Sequence, residues 1–316
     1  MGLRTKLTLA GIAAALVFWA FNGPFIERHD GHYWIPVTEH TAWLARPVRL
    51  ALHHPAPIDT PGPMRWRTIA PGFEVADLPA LVGREEVDRI FLARIDPARF
   101  RFAVRNDPGE QTNLDQWMHR TGAALVVNGS YFAPDGTPAT PVVINGERTG
   151  PATYSASHAA FVSSPDHTEI DDLAHEDRRT ALDGAETAMV SYPLLLAPDG
   201  STRTATDTGW LANRSFIGQD RKGRIVIGTT RSAFFSLPRL ADFLKRSPLD
   251  LRLALNLDGG PVACQGIALG RYKRMTYGHW ELQTDGHGHA SLLPAGGIRH
   301  EPMPIVLAVY PREDER

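Results

Sequence analysis

The sequence predicts an α+β fold: a single domain with a mixed, largely antiparallel β-sheet core flanked by a few helices, preceded by an N-terminal membrane segment and a stalk. Short segments of alternating apolar and polar residues are bounded by Gly, Pro, Asn and Asp, a pattern typical of strands and turns. Two segments carry helix-capping residues instead. The chain has 316 residues, of which 43% are hydrophobic, so it can bury a sizeable core.

Alternation predicts strands at 87–94 and 99–104, joined as a hairpin through the turn signal Asp96-Pro97. A second hairpin is predicted from 213–218 and 224–230, which flank a polar loop closed by glycine. Further strands are predicted at 123–127, 141–144, 159–162, 188–196, 251–258 and 304–310. The polar segment 166–181 is predicted to be a solvated excursion.

Two helices are predicted from their capping residues. Asn113 and Gln116 have the spacing of a capping box, and Gly122 is well placed to end the short helix that follows. Ser236 is the predicted N-cap of a second helix, with Pro238 in its first turn. This second helix leads into the predicted strand 251–258.

The N-terminus has the order of a secretory signal or a membrane anchor. Arg4 and Lys6 precede residues 7–21, which contain no charge. Small residues at the spacing of a cleavage site are lacking, so an uncleaved anchor is favoured over a cleaved signal peptide. With the basic end in the cytoplasm, the remainder is expected to be extracytoplasmic (periplasmic) and anchored to the inner membrane.

The predicted organisation has three parts. Residues 1–26 are the signal anchor or signal peptide, residues 27–66 a proline-rich linker, and residues 67–316 the folded domain. The prolines make the linker too irregular for core elements but suit a stiff spacer.

Composition limits the partners and cofactors. With 33 basic and 35 acidic residues, the net charge of −2 provides no bulk attraction to nucleic acid. The single cysteine, Cys264, excludes an intrachain disulfide and a cysteine-based zinc site. Asp285, His287 and His289 alternate as metal ligands on a strand would, but the glycines between them favour a flexible loop. No metal or cofactor is therefore predicted, and the oligomeric state does not follow from the sequence.

Residues 251–260 are the stretch around which a site is predicted. Four leucines alternate with other residues and predict a strand with one face in the core, and Asn256 and Asp258 then point the same way. Gly259 and Gly260 let the backbone turn sharply and approach a ligand closely. Taken alone, this is also an ordinary strand-to-turn junction, because Asp-Gly is a common turn dipeptide.

Several segments, in this order, resemble the phosphodiester glycosidase family over about residues 85–310. The matching segments are Asn128-Gly129-Ser130-Tyr131-Phe132, the Pro-Asp-Gly loop with the Asn145-Gly146 turn, Ser157-His158-Ala159-Ala160-Phe161, Ser191-Tyr192-Pro193, Asn213-Arg214-Ser215-Phe216-Ile217-Gly218, the helix with Pro238, and Ala254-Leu255-Asn256-Leu257-Asp258-Gly259-Gly260. The resemblance implies a hydrolase whose substrate is a sugar phosphodiester or phosphoglycan. Two departures from the family pattern are Ser130, where a second glycine is usual, and Pro261, where glycine or serine is usual.

The resemblance and the chemistry together suggest roles for named residues. Asp258 is assigned as nucleophile or base, Arg214 as phosphate clamp, and Asn128 as a hydrogen-bonding group to substrate or to Asp258. A phosphate is a far better leaving group than a sugar alkoxide, so a second, protonated carboxylic acid is dispensable. The candidate substrate-binding residues are Gly129, Tyr131, Asn213, Asn256, Gly259 and Gly260, with the three glycines offering backbone N–H groups in a nest-like arrangement.

Simpler alternatives stay open. Arg214 could pair with a surface carboxylate, and Asn128 and Asp258 could each cap their own turns. Cys264 is close enough in sequence to be a nucleophile, although a packed turn residue is the better interpretation. The geometric prediction that separates these alternatives is that the strand ends at 128, 214 and 258 converge, with Asp258 facing Arg214 across a cleft.

Two other functions are compatible with the sequence. One is a non-catalytic, membrane-tethered glycan-binding or exopolysaccharide assembly protein, which Ser130 and Pro261 favour. The other is a glycosidase for ordinary glycosidic bonds, which requires a second carboxylate, for which Glu147 is the nearest candidate.

Overall fold

The computed structural model describes residues 8, 11–16, 27–29, 32–36, 41, 46–52, 58–109, 112–155, 157–174, 180–204, 207, 209–279, 281–284, 289–292 and 301–312. Its helices are α1 (Arg46–Ala51), α2 (Leu114–Thr121) and α3 (Leu237–Arg246), with residues 11–16 also helical and a 3-10 helix at Gly260–Val262. The described chain is thus mostly β-sheet with few helices.

The strands, in chain order, are β1 (Glu27–His29), β2 (His32–Pro36), β3 (Asp59–Pro61), β4 (Arg67–Ala70), β5 (Phe73–Val82), β6 (Glu85–Ile95), β7 (Phe100–Asn106), β8 (Leu125–Asn128), β9 (Val142–Ile144), β10 (Glu147–Thr149), β11 (Ala159–Ser163) and β12 (Thr168–Asp172). They continue with β13 (Thr187–Ser191), β14 (Leu194–Leu196), β15 (Leu211–Ala212), β16 (Ser215–Asp220), β17 (Ile225–Thr230), β18 (Leu251–Asn256), β19 (Gln265–Leu269), β20 (Tyr272–Thr276), β21 (Glu281–Thr284), β22 (His289–Leu292) and β23 (Ile305–Pro311).

Four antiparallel sheets are formed by the described strands. The largest, here the central sheet, has the order β14-β18-β16-β17-β6-β5-β3, with β4 also paired to β5. The second sheet has the order β20-β19-β8-β23-β7, the third β10-β9-β13-β11-β12, and the fourth β1-β2-β22-β21-β15. The predicted antiparallel character is confirmed, whereas the prediction of one mixed sheet is wrong, because no parallel ladder joins the described strands.

Both predicted helix caps are confirmed. Asn113 and Gln116 form a reciprocal capping box at the start of α2, and Gly122 ends it in the left-handed conformation at φ 58°. Ser236 caps α3, with Pro238 in its first turn.

Strand β18 is buried on both faces, which differs from the prediction of a single core face. Leu253 and Leu255 belong to the largest core cluster, whereas Leu251 and Ala254 belong to a second cluster on the opposite face. Helix α3 covers that second face with Phe243 and its neighbours. The leucines of β18 are therefore buried on either face of the strand.

Two predicted strand connections are wrong. Strands β6 and β7 lie in different sheets, since β6 pairs with β5 and β17 while β7 pairs with β23. The predicted strand 188–196 is divided at Tyr192-Pro193 into β13 and β14, which also belong to different sheets. In contrast, the predicted hairpin of β16 and β17 is confirmed, with Ser215 opposite Thr229.

The polar segment 166–181 is only partly a solvated excursion. Residues 168–172 form β12, whose Ile170 is fully buried and whose Asp172 makes an ion pair with Arg203. A single apolar residue within a charged stretch is a weak strand signal, which is why the sequence pattern favoured a loop.

The described part of the predicted linker makes contacts with the domain. Strand β3 pairs with β5, β2 pairs with β22, and Val48 of α1 is buried in the second core cluster. Most of the predicted anchor or signal segment, 1–26, lies outside the described residues. Within the described part of the chain, no helix has the length and apolar character needed to cross a membrane.

Asp88 is a fully buried carboxylate that fixes the loop after β17. Its Oδ1 accepts hydrogen bonds from the N–H groups of Arg89 (2.7 Å) and Ser232 (2.8 Å), and Oδ2 accepts one from Phe234 (3.4 Å). Burial raises the pKa of Asp88 to about 7, although these N–H donors partly offset the effect. The loop held in this way contains Phe235, whose carbonyl belongs to the candidate site described below.

We expect Asp88→Asn to remove a pH dependence of stability. The folded-state pKa of Asp88 is raised from 3.8 to about 7, so the folded state binds the extra proton and wild-type stability falls as pH rises through this window. The amide cannot ionise and keeps the Oδ1 acceptor. Urea unfolding at pH 5 and pH 8 should show the wild type losing stability relative to Asp88→Asn at the higher pH.

Asp88→Ala is the matched comparison, because it leaves the Ser232 and Arg89 N–H groups without their buried acceptor. Like the amide, alanine cannot ionise, so Asp88→Ala should lower the free energy of unfolding relative to the wild type by about 1–3 kcal/mol at pH 5 and by less at pH 8, where the wild type has itself lost stability. Equal pH dependence of the wild type and Asp88→Asn would contradict the assignment.

Candidate active site

Three strand ends converge, as the sequence predicts. The register of β16 and β18 pairs Phe216 with Asn256, which brings residues 214 and 258 opposite each other just beyond the ladder. The end of β8 joins them, since the Asp258 N–H donates to the Gly129 carbonyl (3.0 Å). The Gly260 N–H donates to the Asn213 carbonyl at 2.9 Å, so the turn after β18 is tied to both neighbours.

Asp258 is a half-buried carboxyl group whose pKa is strongly perturbed. Loss of solvation raises its pKa to about 7, the Gly259 N–H that donates to Oδ1 (2.8 Å) lowers it, the nearby charge of Glu281 raises it further, and Arg214 lowers it. Its remaining exposure keeps it accessible to a substrate. A carboxyl group that changes protonation near neutral pH is suited to base catalysis.

Arg214 is a buried cation held by backbone carbonyls. Its Nε donates to the carbonyl of Phe235 (3.2 Å), and its Nη2 donates to the carbonyl of Trp210 (2.7 Å). Burial lowers its pKa, and the charges of Tyr131, Glu281 and Asp258 act in the opposite direction. Among the described residues, no acidic side chain lies within ion-pair distance of Arg214. The alternative interpretation, that Arg214 pairs with a surface carboxylate, is therefore wrong.

The Nη1 group of Arg214 is the part of the guanidinium left for a ligand. Among the described residues, none accepts a hydrogen bond from it. It lies beside Gly259, where a Cβ atom would come within 3.1 Å of Nη1. Glycine at 259 therefore leaves room for the guanidinium next to Asp258, and whether a cleft separates the two charged groups stays a prediction.

Asn128 and Asn213 tie the backbone of the site together. Asn128 donates from Nδ2 to the backbone carbonyl of Asp258 (2.8 Å), and its Oδ1 accepts from the Cys264 N–H (3.2 Å). Asn213 donates to the carbonyl of Thr230 (3.0 Å) and accepts from the N–H of His279 (2.9 Å). Asn128 thus contacts Asp258 as predicted, through its backbone rather than its carboxylate, and holds the strand ends in place.

The three glycines do not form the predicted nest of free N–H groups. Gly129 donates to the Ile305 carbonyl (2.7 Å), Gly259 to the Asp258 carboxylate and Gly260 to the Asn213 carbonyl. The glycines serve close packing instead. A Cβ at Gly129 would lie 2.5 Å from the Ile305 side chain, and Gly260 has a φ of 70°, a conformation that L side chains rarely adopt.

Three aromatic rings stack along one side of the site. The ring of Tyr192 lies 4.4 Å from that of Tyr131 and 4.6 Å from that of His158, both in stacked geometry. The hydroxyl of Tyr131 accepts a hydrogen bond from Asn256 Nδ2 (2.8 Å), which also donates to the Tyr192 carbonyl (3.2 Å). Asn256 Oδ1 is buried and has no partner among the described residues, which leaves one acceptor for a ligand or water.

Glu281 is a site residue that the sequence reasoning missed. Its Oε1 accepts a hydrogen bond from Trp210 Nε1 at 2.8 Å, and its charge influences the pKa of both Asp258 and Arg214. Burial raises the pKa of Glu281 itself. No motif marks this residue, which begins strand β21, and its partner Trp210 is 71 positions away in sequence.

The remaining candidates lie elsewhere or have structural roles. Cys264 is buried, its Sγ contacts the Pro261 carbonyl (3.5 Å), and burial raises its pKa to about 11, which fits a packed residue rather than a nucleophile. Glu147 is exposed on β10, in the third sheet. Asp285 and His287 lie outside the described residues, and the described residues hold no cluster of metal-ligating side chains.

Comparison with known proteins gives a family match over part of the chain. The family model described as phosphodiester glycosidase matches residues 121–263, which include the ends of β8, β16 and β18. No curated protein gives a significant match.

Two solved structures match this chain. The catalytic domain of zebrafish N-acetylglucosamine-1-phosphodiester α-N-acetylglucosaminidase, auto-inhibited by its pro-peptide, matches with a TM-score of 0.51 and 15% identity, covering 89% of this chain and 88% of that chain. A hypothetical protein from Synechocystis matches with a TM-score of 0.49 and 15% identity, covering 79% of this chain and 64% of that chain. The first of these supports a shared fold. The family-model match confirms, over residues 121–263, the resemblance of this chain to the phosphodiester glycosidase family.

Proposed function

We propose that this protein hydrolyses a sugar-1-phosphodiester bond in an extracytoplasmic glycan, with Asp258 as nucleophile or base and Arg214 as phosphate clamp. The observation that carries the proposal is the juxtaposition of a carboxyl group of pKa about 7 with a buried guanidinium whose Nη1 has no acceptor among the described residues. The extracytoplasmic location rests on the N-terminal sequence alone.

The proposed reaction cleaves the bond between the anomeric carbon and the phosphate oxygen. The departing phosphate monoester takes the bonding electron pair, and positive charge develops on the sugar ring in an oxocarbenium-like transition state. Asp258 stabilises this charge and either attacks the anomeric carbon, to be released later by water, or takes a proton from the attacking water. The products are a reducing sugar and a phosphate monoester.

A single reactive carboxylate is sufficient for this substrate. An alkoxide leaving group requires a proton from a carboxylic acid, whereas a phosphate monoester leaves as a stable anion. Arg214 supports its departure because Nη1 can donate two hydrogen bonds to phosphate oxygens while Nε and Nη2 stay bound to protein carbonyls. A clamp held in this way needs no reorganisation when the substrate binds.

Substitution of the two charged residues tests the proposal directly. On a chromogenic sugar phosphodiester, Asp258→Asn should lower kcat/KM by about 1000-fold, as removal of a nucleophile or general base does. Arg214→Lys should lower it by about 100-fold, because lysine keeps the charge but loses the planar donors.

Asp183→Asn and Arg221→Ala are matched controls, because these acidic and basic residues are exposed on the surface. Both should keep wild-type rates. Wild-type rates in Asp258→Asn and Arg214→Lys would refute the assignment. Binding of a phosphoglycan without product after prolonged incubation would instead support the non-catalytic glycan-binding alternative.

The pH dependence of the rate provides a second test. Asp258 must be ionised to act as nucleophile or base, so kcat/KM should fall about tenfold per pH unit below its pKa of about 7 and level off above it. Glu281→Gln removes a negative charge that raises this pKa, so the acidic limb should move to lower pH. An acidic limb that stays in place in Glu281→Gln would argue against electrostatic coupling of the two carboxyl groups.

A further inference from the structure

Trp210 has an exposed aromatic surface beside the candidate active site. Among the large hydrophobic side chains of the described residues, Tyr192 and Trp210 are the exposed aromatic ones, and their exposed fractions are 38% and 37%. Both faces of the Tyr192 ring are covered, since Tyr131 and His158 each stack on it and two rings cannot share one face at these distances. No described ring or cation stacks on the indole of Trp210.

Trp210 is fixed at both ends to charged residues of the site. Its carbonyl accepts the hydrogen bond from Arg214 Nη2 (2.7 Å), and its indole N–H donates to Glu281 Oε1 (2.8 Å). The adjacent strand β15 pairs with β21, with Ala212 opposite Glu281. The exposed ring is therefore held in one orientation before any ligand binds, which lowers the entropy cost of binding.

One carboxylate oxygen of Glu281 remains available to a ligand near the Trp210 indole. Its Oε1 is used by Trp210, whereas among the described residues no donor contacts Oε2. Oε2 lies against Gly260, where a Cβ atom would come within 2.5 Å of it. Oε2 of the half-buried Glu281 is thus an acceptor beside Gly260, which follows Asp258 by two residues, and it lies near an exposed aromatic face.

We infer that Trp210 and Glu281 form a subsite for the pyranose ring of a neutral sugar. One face of a pyranose carries aliphatic C–H groups that stack on an aromatic ring, while its hydroxyl groups project from the rim and donate to carboxylates. Trp210 supplies the ring and Glu281 Oε2 the acceptor. Because Glu281 and Asp258 are both acidic, the subsite disfavours sugars that carry a carboxylate, such as uronic acids.

This inference deepens the proposed function and rests on it for the position of the sugar relative to Asp258. It also explains why a second carboxylate lies close to Asp258 although the leaving phosphate needs no proton. Glu281 then contributes to sugar recognition and to the charge around Asp258 rather than to protonation of the leaving group.

Binding of free sugars tests the subsite without requiring turnover. N-acetylglucosamine, glucose and glucuronic acid are titrated against the full chain, with calorimetry and indole fluorescence as readouts. The wild type should bind the two neutral sugars and bind glucuronic acid at least about tenfold more weakly. Trp210→Ala should weaken neutral-sugar binding about tenfold or more, whereas Trp210→Phe, which keeps an aromatic face, should retain most of it.

Two further variants control the result. Trp66 is the control tryptophan because its ring is covered by Arg94, and Trp66→Phe should bind all three sugars like the wild type. Glu281→Gln should reduce the discrimination against glucuronic acid. Absence of neutral-sugar binding by the wild type, or wild-type affinity in a folded Trp210→Ala, would overturn the inference.

Failure of the subsite and failure of the proposed function give different results. Turnover of a sugar phosphodiester with an unchanged KM in Trp210→Ala would leave the hydrolase standing and remove the subsite. Trp210-dependent sugar binding without turnover of any sugar phosphodiester would support the subsite and refute the proposed hydrolase. Circular dichroism of each variant shows whether a loss of binding reflects loss of the fold.

Discussion

The candidate site depends on the hydrogen bonds that join the ends of β8, β16 and β18. Buried N–H and carbonyl groups need partners, and where a ladder ends they must find them outside it. Here the Asp258 N–H donates to the Gly129 carbonyl and the Gly260 N–H donates to the Asn213 carbonyl. The Asn128 side chain donates to the Asp258 carbonyl. The position of the Asp258 carboxyl group is therefore set by backbone geometry and by an amide side chain, not by an ion pair.

The same arrangement explains how a positive charge can be buried without a carboxylate in direct contact. Arg214 donates hydrogen bonds to two backbone carbonyls, one of which belongs to Phe235. This residue lies in the loop whose N–H groups donate to the buried Asp88. Desolvation makes ionisation of Asp258 and Glu281 less favourable, while the unsatisfied side of Arg214 favours an anion. Under the proposed function, a bound phosphodiester supplies the missing partner, so substrate binding also relieves the electrostatic cost of burying Arg214.

The local signals in the sequence were sufficient to predict local structure. The capping box of α2, the hairpin of β16 and β17 and the convergence of three strand ends all agree with the structure. Partner choice was not predictable, because a period of two identifies a strand but says nothing about which strand lies beside it. The alternation in β6 and β7 did not show that these strands lie in different sheets. No motif indicates the pairing of β15 with β21 that brings Glu281 to the site.

The two departures from the family pattern have different consequences. Pro261 lies at the start of the 3-10 helix Gly260–Val262, where an N–H has no partner within the helix, so the fold loses no hydrogen bond. Ser130 is buried, and its hydroxyl has no partner among the described residues. The N–H groups of Gly259 and Gly260 both donate to protein acceptors, so the backbone around Asp258 offers few donors to an anion. Under the proposed function, recognition of the phosphate therefore falls to the side chain of Arg214, whose guanidinium is oriented by the carbonyls of Phe235 and Trp210.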